Sequence, residues 1–197
     1  MSGILYGVGL GPGDPDLITV KSSRLISQAR VIAYPSLAGG ESFARSIAAD
    51  LISPDAEEIV MDVPMTVERA PAQAAYDIGA KNIAAVLDRG EDVVCLCEGD
   101  PFFYGSFMYL YARLAADYQV EVVPGVTSIT TCAARAGMPL AARNERLTVL
   151  PGPLPAEELR ARIEGAESVA IMKVGRHLSK IRSVIADLSL TDKSAYI

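Results

Sequence analysis

An apolar run of five residues, Val93–Cys97, ends abruptly at Glu98-Gly99-Asp100-Pro101 and constrains the fold more than any other stretch. A run that is apolar on both faces is typical of a strand buried in a parallel sheet. Pro101 cannot extend the hydrogen-bonded ladder, and Gly99 permits a backbone conformation that other residues would find strained. The chain therefore places polar groups at the carboxyl end of a central strand, where open α/β sheets bind their ligands.

An aspartate in the position of Asp100 more commonly caps the following helix, so the interpretation of a ligand site needs further support. Two other turns in the chain provide that support. The predicted strand Val120–Val123 is followed by the turn Pro124-Gly125-Val126-Thr127-Ser128. The predicted strand that starts at Ile4 leads into a glycine-rich loop that ends near Asp14. Thr127 and Ser128 could be simple helix caps, but two strand ends that carry glycines and small polar residues could also line a single crevice.

The glycine-rich loop does not satisfy the criteria for dinucleotide binding. Gly7 and Gly9 fit the first two glycines of the fingerprint, but Pro12 occupies the position of the third. The next predicted strand, Val31–Tyr34, ends at Pro35-Ser36 without the acidic residue that would hold a ribose. No Gly-Lys-Ser/Thr follows the loop, so it is not a phosphate-binding P-loop either.

Composition narrows the class of protein. Of the 197 residues, 50% are hydrophobic and 21% are charged, which is enough apolar material for a sizeable core. The net charge of −6 argues against a nucleic-acid partner, which would normally meet a basic face. The N-terminus does not resemble a secretory signal and no apolar run is long enough to span a membrane, so we expect a soluble, cytoplasmic protein.

The three cysteines do not indicate a disulfide scaffold or a metal site. Cys95 and Cys97 share one face of the central strand and resemble half of a metal site. The third cysteine is distant and the chain has one histidine, so we expect core cysteines and no bound metal. His177, at the predicted start of a helix, is interpreted as a surface residue.

Strands and helices alternate along the chain, which predicts two α/β lobes, residues 1–140 and 147–197, joined by a polar linker at 140–146 with a cleft between them. An amphipathic helix is expected through Leu17, Val20 and Ile26. A long helix is expected from about 68 to 89, with Ile78 on its apolar face. The last residues, 194–197, are expected to form a strand.

Three motifs resemble those of the tetrapyrrole (corrin/porphyrin) methylases, in that family's order and spacing: Gly7–Pro15 with Leu17–Lys21 behind it, Gly99-Asp100-Pro101, and Pro124–Ser128. The resemblance implies S-adenosyl-L-methionine bound in a cleft between two α/β domains of a homodimer, with a small-molecule tetrapyrrole as substrate. The cofactor contacts that it carries over are Pro12, Glu98, Gly99, Asp100, Phe103, Thr127, Ser128 and, in the second lobe, Met172.

Within this family, Glu98–Phe107 and Met61–Met65 look most like the members that methylate carbon 20 of precorrin-2 in cobalamin biosynthesis. Methylases of uroporphyrinogen III tend to have Lys-Gly-Gly-Asp-Pro where Cys97–Pro101 stands here. Cobalt-factor II, uroporphyrinogen III or another precorrin remain alternative substrates, and a cofactor-binding module without turnover is a third hypothesis. Family members usually continue beyond the equivalent of Ile197, so we expect a truncated chain with an incomplete second lobe.

A sulfonium methyl group is itself a strong electrophile, so the expected chemistry requires alignment more than a protein nucleophile. If a base assists proton loss from the methylated carbon, Asp100, Glu98, Tyr104 and Asp14 are candidates among which the sequence does not choose. The carboxylates of a tetrapyrrole require cations, for which arginine is well suited. The candidate cations are Arg69, Arg135, Arg143, Arg146, Lys173 and Arg176.

Overall fold

The computed structural model describes residues 2–37, 40–64 and 69–197 and has an α/β architecture. The strands are β1 (Ile4–Gly9), β2 (Val31–Leu37), β3 (Glu57–Val63), β4 (Val93–Cys97), β5 (Gln119–Val123), β6 (Leu147–Pro151) and β7 (Ser168–Met172). The helices are α1 (Val20–Gln28), α2 (Phe43–Ile47), α3 (Arg69–Asp88), α4 (Phe107–Leu114), α5 (Ser128–Ala136), α6 (Ala156–Ile163) and α7 (Leu178–Asp187). The α/β class predicted from the sequence is therefore confirmed.

The chain divides into two compact units, residues 1–128 and 129–197. The division lies ahead of the predicted linker at 140–146, so most of α5 groups with the second unit. The predicted boundary at 140–146 rests on loop polarity, whereas this division follows which elements pack together, so the domain limits stay a prediction.

The first unit contains a parallel sheet with the strand order β3-β2-β4-β1-β5. The central strand predicted from the apolar run is confirmed, since all five residues of β4 are buried. The connection that leaves β1 runs to β2 on one side, whereas the connection that leaves β4 runs to β5 on the other. The carboxyl ends of β1 and β4 therefore form a topological switch point, the usual ligand position in such sheets.

Helices cover both faces of this sheet, as buried parallel strands require. Cys95 and Cys97 point into the core formed with α3 and α4, where burial raises the pKa of both thiols. Val94 and Leu96 point into the opposite core with α1 and α2. Within the described ranges, no three His, Cys, Asp or Glu side chains come close enough together to hold a metal ion.

The buried faces of two helices differ from the sequence prediction. Leu17 belongs to a short 3-10 turn, and α1 begins only at Val20, which is 76% exposed. In α3, Ile78 is 61% exposed and Tyr76 is buried instead, in ring contact with Tyr109 of α4. Periodicity identifies that a helix has an apolar face, but the angle at which it packs decides which residues lie on it.

The strand β2 is longer than predicted, because it continues through Pro35 to Leu37. It pairs with β3 as far as Leu37–Val63 but with β4 only at Ile32 and Ala33. Proline lacks the N–H that a ladder needs, and Pro35 lies where pairing to β4 has ended. The segment Met61–Thr66 is expected from the sequence to be a loop, but Met61–Val63 belongs to β3 and only Pro64 lies outside it, while 65 and 66 lie outside the described residues.

The second unit contains the parallel pair β6–β7, whose core with α6 and α7 includes Leu150, Leu159 and Ile181. The predicted terminal strand at 194–197 is wrong. After a 3-10 turn the chain ends without pairing to a strand in the described part, and Tyr196 and Ile197 are exposed. A β-forming composition does not make a strand unless a neighbour offers its hydrogen-bonding edge.

A charged network joins β2, β3 and α2 in the first unit. Both oxygens of Glu58 accept hydrogen bonds from Arg45, at 2.8 Å each, and one also accepts from the Tyr34 hydroxyl. The hydrogen bonds from Arg45 are the main cause that lowers the pKa of Glu58 to about 2. The Glu58 side chain is 26% exposed, so solvent screens the network only in part.

We expect Glu58→Gln to destabilise the protein at pH 7 by about 1–2 kcal/mol, less than a buried charged hydrogen bond because of that screening. Because the pKa of Glu58 is lower in the folded than in the unfolded protein, this stabilisation is present above the unfolded value and is lost as the pH falls toward about 2. Urea denaturation of both proteins from pH 7 to 2 measures it. A difference that does not shrink in acid would contradict the ionic origin.

No helix in the described ranges has the length and apolar character needed to cross a bilayer.

Candidate active site

Three turns meet at the switch point of the first unit: the glycine-rich loop after β1 and the turns after β4 and β5. The first two are joined as a short antiparallel bridge between Gly11 and Gly99. The Gly99 N–H donates to the Gly11 carbonyl at 2.7 Å, and the Gly11 N–H donates to the Gly99 carbonyl at 3.2 Å. These reciprocal bonds hold the glycine-rich loop against the Gly-Asp-Pro turn.

The third turn packs against both of the others through glycine backbones. A Cβ atom on Gly125 would lie 2.0 Å from the carbonyl oxygen of Gly99, and one on Gly9 would lie 2.6 Å from the Gly125 nitrogen. Neither position can hold a larger residue without moving main chain. Glycine is therefore required here for close backbone approach.

Asp100 joins the second turn to the third and does not cap α4. One carboxylate oxygen accepts from the Phe102 N–H at 2.9 Å, and the other accepts from the Gly125 N–H at 3.0 Å. The helix α4 begins only at Phe107, and its N-cap residue, Ser106, makes no side-chain capping bond. The capping alternative weighed for Asp100 is therefore wrong.

Open space lies beside Gly99, in contrast to the crowding around Gly9 and Gly125. Gly99 has φ +65°, and a Cβ atom built on it would meet no heavy atom within 4 Å. Its main chain is thus accessible from that side to a bound molecule. This combination of close-packed glycine turns and an accessible backbone fits a small ligand that is held by main-chain groups.

The segment after Asp100 carries backbone strain. Tyr104 has φ +56°, a value that is uncommon for an aromatic residue, and its ring meets the ring of Phe103 edge-on at 5.3 Å. The next position, Gly105, requires glycine, because a Cβ atom there would lie 2.5 Å from the Asp100 carbonyl oxygen. Strain of this kind, of order 1–3 kcal/mol, persists where the surroundings impose it and often at functional sites.

Ser22 supports the glycine-rich loop from behind, a role that no sequence motif indicated. This buried side chain donates from its hydroxyl to the Gly9 carbonyl at 3.0 Å, and its main-chain N–H donates to the Thr19 hydroxyl that caps α1. Asp14 accepts from the Asp16 N–H at 3.1 Å and so starts the 3-10 turn that follows the loop. A serine in the first turn of a helix gives no sequence signal for such a contact.

The structure brings most of the predicted cofactor residues to one edge of the first sheet, and their contact with cofactor stays a prediction. The residues on or beside the three turns are Pro12, Glu98, Gly99, Asp100, Phe103, Thr127 and Ser128. Met172 is the last residue of β7 in the second unit, where its carbonyl accepts from the Gly152 N–H at 2.7 Å. The base candidates Glu98 and Tyr104 are solvent-exposed.

The candidate cations differ in how they are engaged. Arg146 pairs with Glu167 at 3.2 Å, whereas Lys173 and Arg176 are exposed and form no ion pair with any other described residue. Both follow β7 within a segment, 168–186, that contains no Asp or Glu. His177 lies between these cations and α7, where loss of hydration and then the charges of Lys180 and Arg176 lower its pKa.

Of the other candidates, Arg135 and Arg143 are exposed, and the Arg69 side chain lies outside the described part of the structure.

Comparison with known proteins gives the same family over the whole chain. A family model described as Tetrapyrrole (Corrin/Porphyrin) Methylases matches residues 4–197. The chain is 41% identical to the precorrin-2 C(20)-methyltransferase of a Sinorhizobium species, over 100% of this chain and 85% of that protein. It is 32% identical to the cobalt-precorrin-2 C(20)-methyltransferase of Salmonella typhimurium strain LT2, over 98% of this chain and 81% of that protein.

Solved structures agree with this relationship. A cobalt precorrin-4 methyltransferase superimposes with a TM-score of 0.68 and 26% identity, covering 95% of this chain and 76% of that one. The uroporphyrin-III C-methyltransferase of Thermus thermophilus, complexed with S-adenosylhomocysteine, superimposes with a TM-score of 0.64 and 28% identity, covering 96% and 73%. The sheet order, the three joined turns and the full-length sequence match together show that this chain belongs to the tetrapyrrole (corrin/porphyrin) methylases.

Proposed function

We propose that this protein transfers a methyl group from S-adenosyl-L-methionine to carbon 20 of precorrin-2, giving precorrin-3A in cobalamin biosynthesis. The observation that carries the proposal is the 41% identity, over the full chain, to a precorrin-2 C(20)-methyltransferase. The resemblance of Glu98–Phe107 to that subfamily supports the same substrate. A second candidate, the cobalt-containing substrate, is favoured by the 32% identity to the Salmonella enzyme.

The proposed mechanism assigns binding and alignment to the residues at the switch point. S-adenosyl-L-methionine would supply an electrophilic sulfonium methyl group. The accessible backbone at Gly99 and the turn held by Asp100 would fix the position of the cofactor. The turn at Thr127 and Ser128 would form another side of the cofactor site. Orientation of the reactants can contribute on the order of 7–11 kcal/mol to such a reaction, so a rigid arrangement of these turns matters more than a reactive side chain.

The test is methyl transfer from labelled S-adenosyl-L-methionine to precorrin-2, cobalt-factor II and uroporphyrinogen III under anaerobic conditions. We expect precorrin-2 to gain one methyl group, located at carbon 20 by NMR of the labelled product. Faster turnover of the cobalt-containing substrate would select the second candidate. Binding of S-adenosylhomocysteine without turnover of any acceptor would overturn the proposed activity and leave a cofactor-binding module.

We expect Lys173→Gln and Arg176→Gln to raise the KM for the tetrapyrrole about tenfold each, because these exposed cations are available to its carboxylates. S-adenosylhomocysteine affinity should not change. Arg162→Gln is the matched control, since this arginine in the same unit is already paired with Glu158. Equal KM values in the control and the two variants would remove Lys173 and Arg176 from substrate binding.

A homodimer and a cytoplasmic location are also proposed, on the resemblance to the family. Exposed large apolar side chains between 102 and 111 support association with a second copy; they are Phe102, Tyr104, Met108, Tyr109 and Tyr111.

We expect Tyr111→Glu to shift the protein toward monomer in light-scattering measurements, because a buried unpaired carboxylate is unfavourable. Val20→Glu, at another exposed apolar position, should not, and an unchanged dimer in Tyr111→Glu would exclude this surface.

A further inference from the structure

The carboxylate of Asp100 connects the main chains of two separate turns, and this defines its role. We propose that Asp100 is a positioning residue, which fixes the turn after β5 against the turn after β4, and that it is not the base of the reaction. The inference rests on the proposed function, because it concerns how the site holds its cofactor. It also removes Asp100 from the base candidates.

Both oxygens of Asp100 already accept a main-chain hydrogen bond. The Phe102 N–H lies 2.9 Å from one oxygen, within the same turn, and the Gly125 N–H lies 3.0 Å from the other, across the two turns. A base must turn an oxygen toward the carbon-bound proton that it removes. Each oxygen keeps a second lone pair, but both oxygens are held by main-chain donors, so rotation of the carboxylate toward a substrate would weaken one of the two bonds. This geometry favours holding the turns over proton transfer.

The surroundings of Gly125 make this bond consequential for the cofactor. A Cβ atom on Gly125 would lie 2.0 Å from the Gly99 carbonyl and 2.9 Å from the Gly9 Cα atom, so the three glycine backbones are in direct contact. The position of Gly125 relative to Gly99 is therefore set by both packing and the Asp100 bond. The accessible backbone of Gly99 is part of the same contact, and a shift of Gly125 would alter it.

The first test compares Asp100→Asn with wild type for S-adenosylhomocysteine affinity and for the pH dependence of kcat. An asparagine oxygen can accept one N–H, but its amide NH2 group then faces the other donor, so one bond is lost. For a positioning residue we expect the Kd to rise at least tenfold, while the pH profile of the remaining activity keeps its wild-type shape. An unchanged Kd with activity lost at every pH would identify a base and overturn the proposal.

Asp100→Glu separates the two roles without removing the carboxylate. The glutamate retains a carboxylate that could act as a base, but its longer side chain cannot keep both hydrogen bonds, from Phe102 and from Gly125, at their present lengths. We therefore expect weakened cofactor binding in this variant too. Normal affinity in this variant would contradict the positioning role. This variant also keeps the proposal testable if Asp100→Asn does not fold.

Asp92→Asn is the matched control. The Asp92 carboxylate also accepts a main-chain hydrogen bond, from the Ile4 N–H at 2.7 Å, but it lies at the amino end of β4, whereas Asp100 follows the carboxyl end. The Asp92→Asn substitution should leave both the Kd and kcat unchanged.

A double-mutant cycle tests whether Asp100 acts through Gly125. Gly125→Ala displaces the same turn by steric contact, so its effect on the Kd and that of Asp100→Asn should be far from additive. Independent, additive effects would overturn the proposed link. If wild type itself neither binds S-adenosylhomocysteine nor methylates a tetrapyrrole, the proposed function fails. If wild type does both and Asp100→Asn keeps its affinity, only this inference fails.

Discussion

Gly99→Ala is expected to weaken S-adenosylhomocysteine binding about 100-fold, which corresponds to roughly 2.7 kcal/mol. The space beside Gly99 is open, so the new methyl group would fit the protein itself. It would occupy the space through which a ligand reaches the main chain of the turn. The loss therefore arises from exclusion of the ligand and not from disruption of the core.

Gly137→Ala provides a control that matches this substitution closely. Gly137 has φ +63° against +65° for Gly99, and a Cβ atom on it also meets nothing within 4 Å. Both alanine variants should lose a similar stability, roughly 1–2 kcal/mol, because each forces alanine into the left-handed region. Gly137 follows the carboxyl end of α5, so its substitution should leave the affinity unchanged.

Calorimetric titration with S-adenosylhomocysteine and thermal denaturation of both variants measure the two effects separately. Equal losses of stability with a loss of affinity only in Gly99→Ala would support cofactor binding at this turn. Equal affinities in the two variants would mean that the ligand does not approach Gly99.

Gly7→Ala is expected to destabilise the protein by about 3 kcal/mol or more, at the upper end of the cost of overpacking a core. Gly7 lies in β1, between β4 and β5, and a Cβ atom there would lie 2.2–2.5 Å from three atoms of the Phe107 ring. Phe107 is 1% exposed and packs in a core formed by α3 and α4. A ring enclosed in this way cannot move aside without displacing its neighbours.

Phe107→Leu should partly rescue Gly7→Ala, although it destabilises the wild-type protein by leaving a cavity. The smaller side chain makes room for the added methyl group, so the two effects should couple strongly in a double-mutant cycle. Urea denaturation of the four proteins measures this coupling. Additive effects would show that Gly7 is needed for a reason other than contact with Phe107.

Local features of the sequence predicted the central strand and the turns after β1, β4 and β5. The run Val93–Cys97 is apolar on both faces, which only burial between two layers of helices explains. Gly99 permits the left-handed turn and Pro101 lacks the N–H of a ladder, and these local backbone properties end the strand without any distant residue. The motifs around these positions also carry the family resemblance, so the amino-acid sequence by itself determines both the fold class and the family.

Only the tertiary structure decided which side chains and backbone groups contact residues far away in the sequence. Asp100 resembles a helix cap in sequence, but its second oxygen meets Gly125, and no local pattern predicts that hydrogen bond. Gly7 resembles part of a ligand-binding motif, yet the ring of Phe107, one hundred positions away, explains it. Val20 and Ile78 fit a helical period but face solvent. Local sequence limits the backbone of each segment, whereas the partner of each side chain is fixed only when segments pack together.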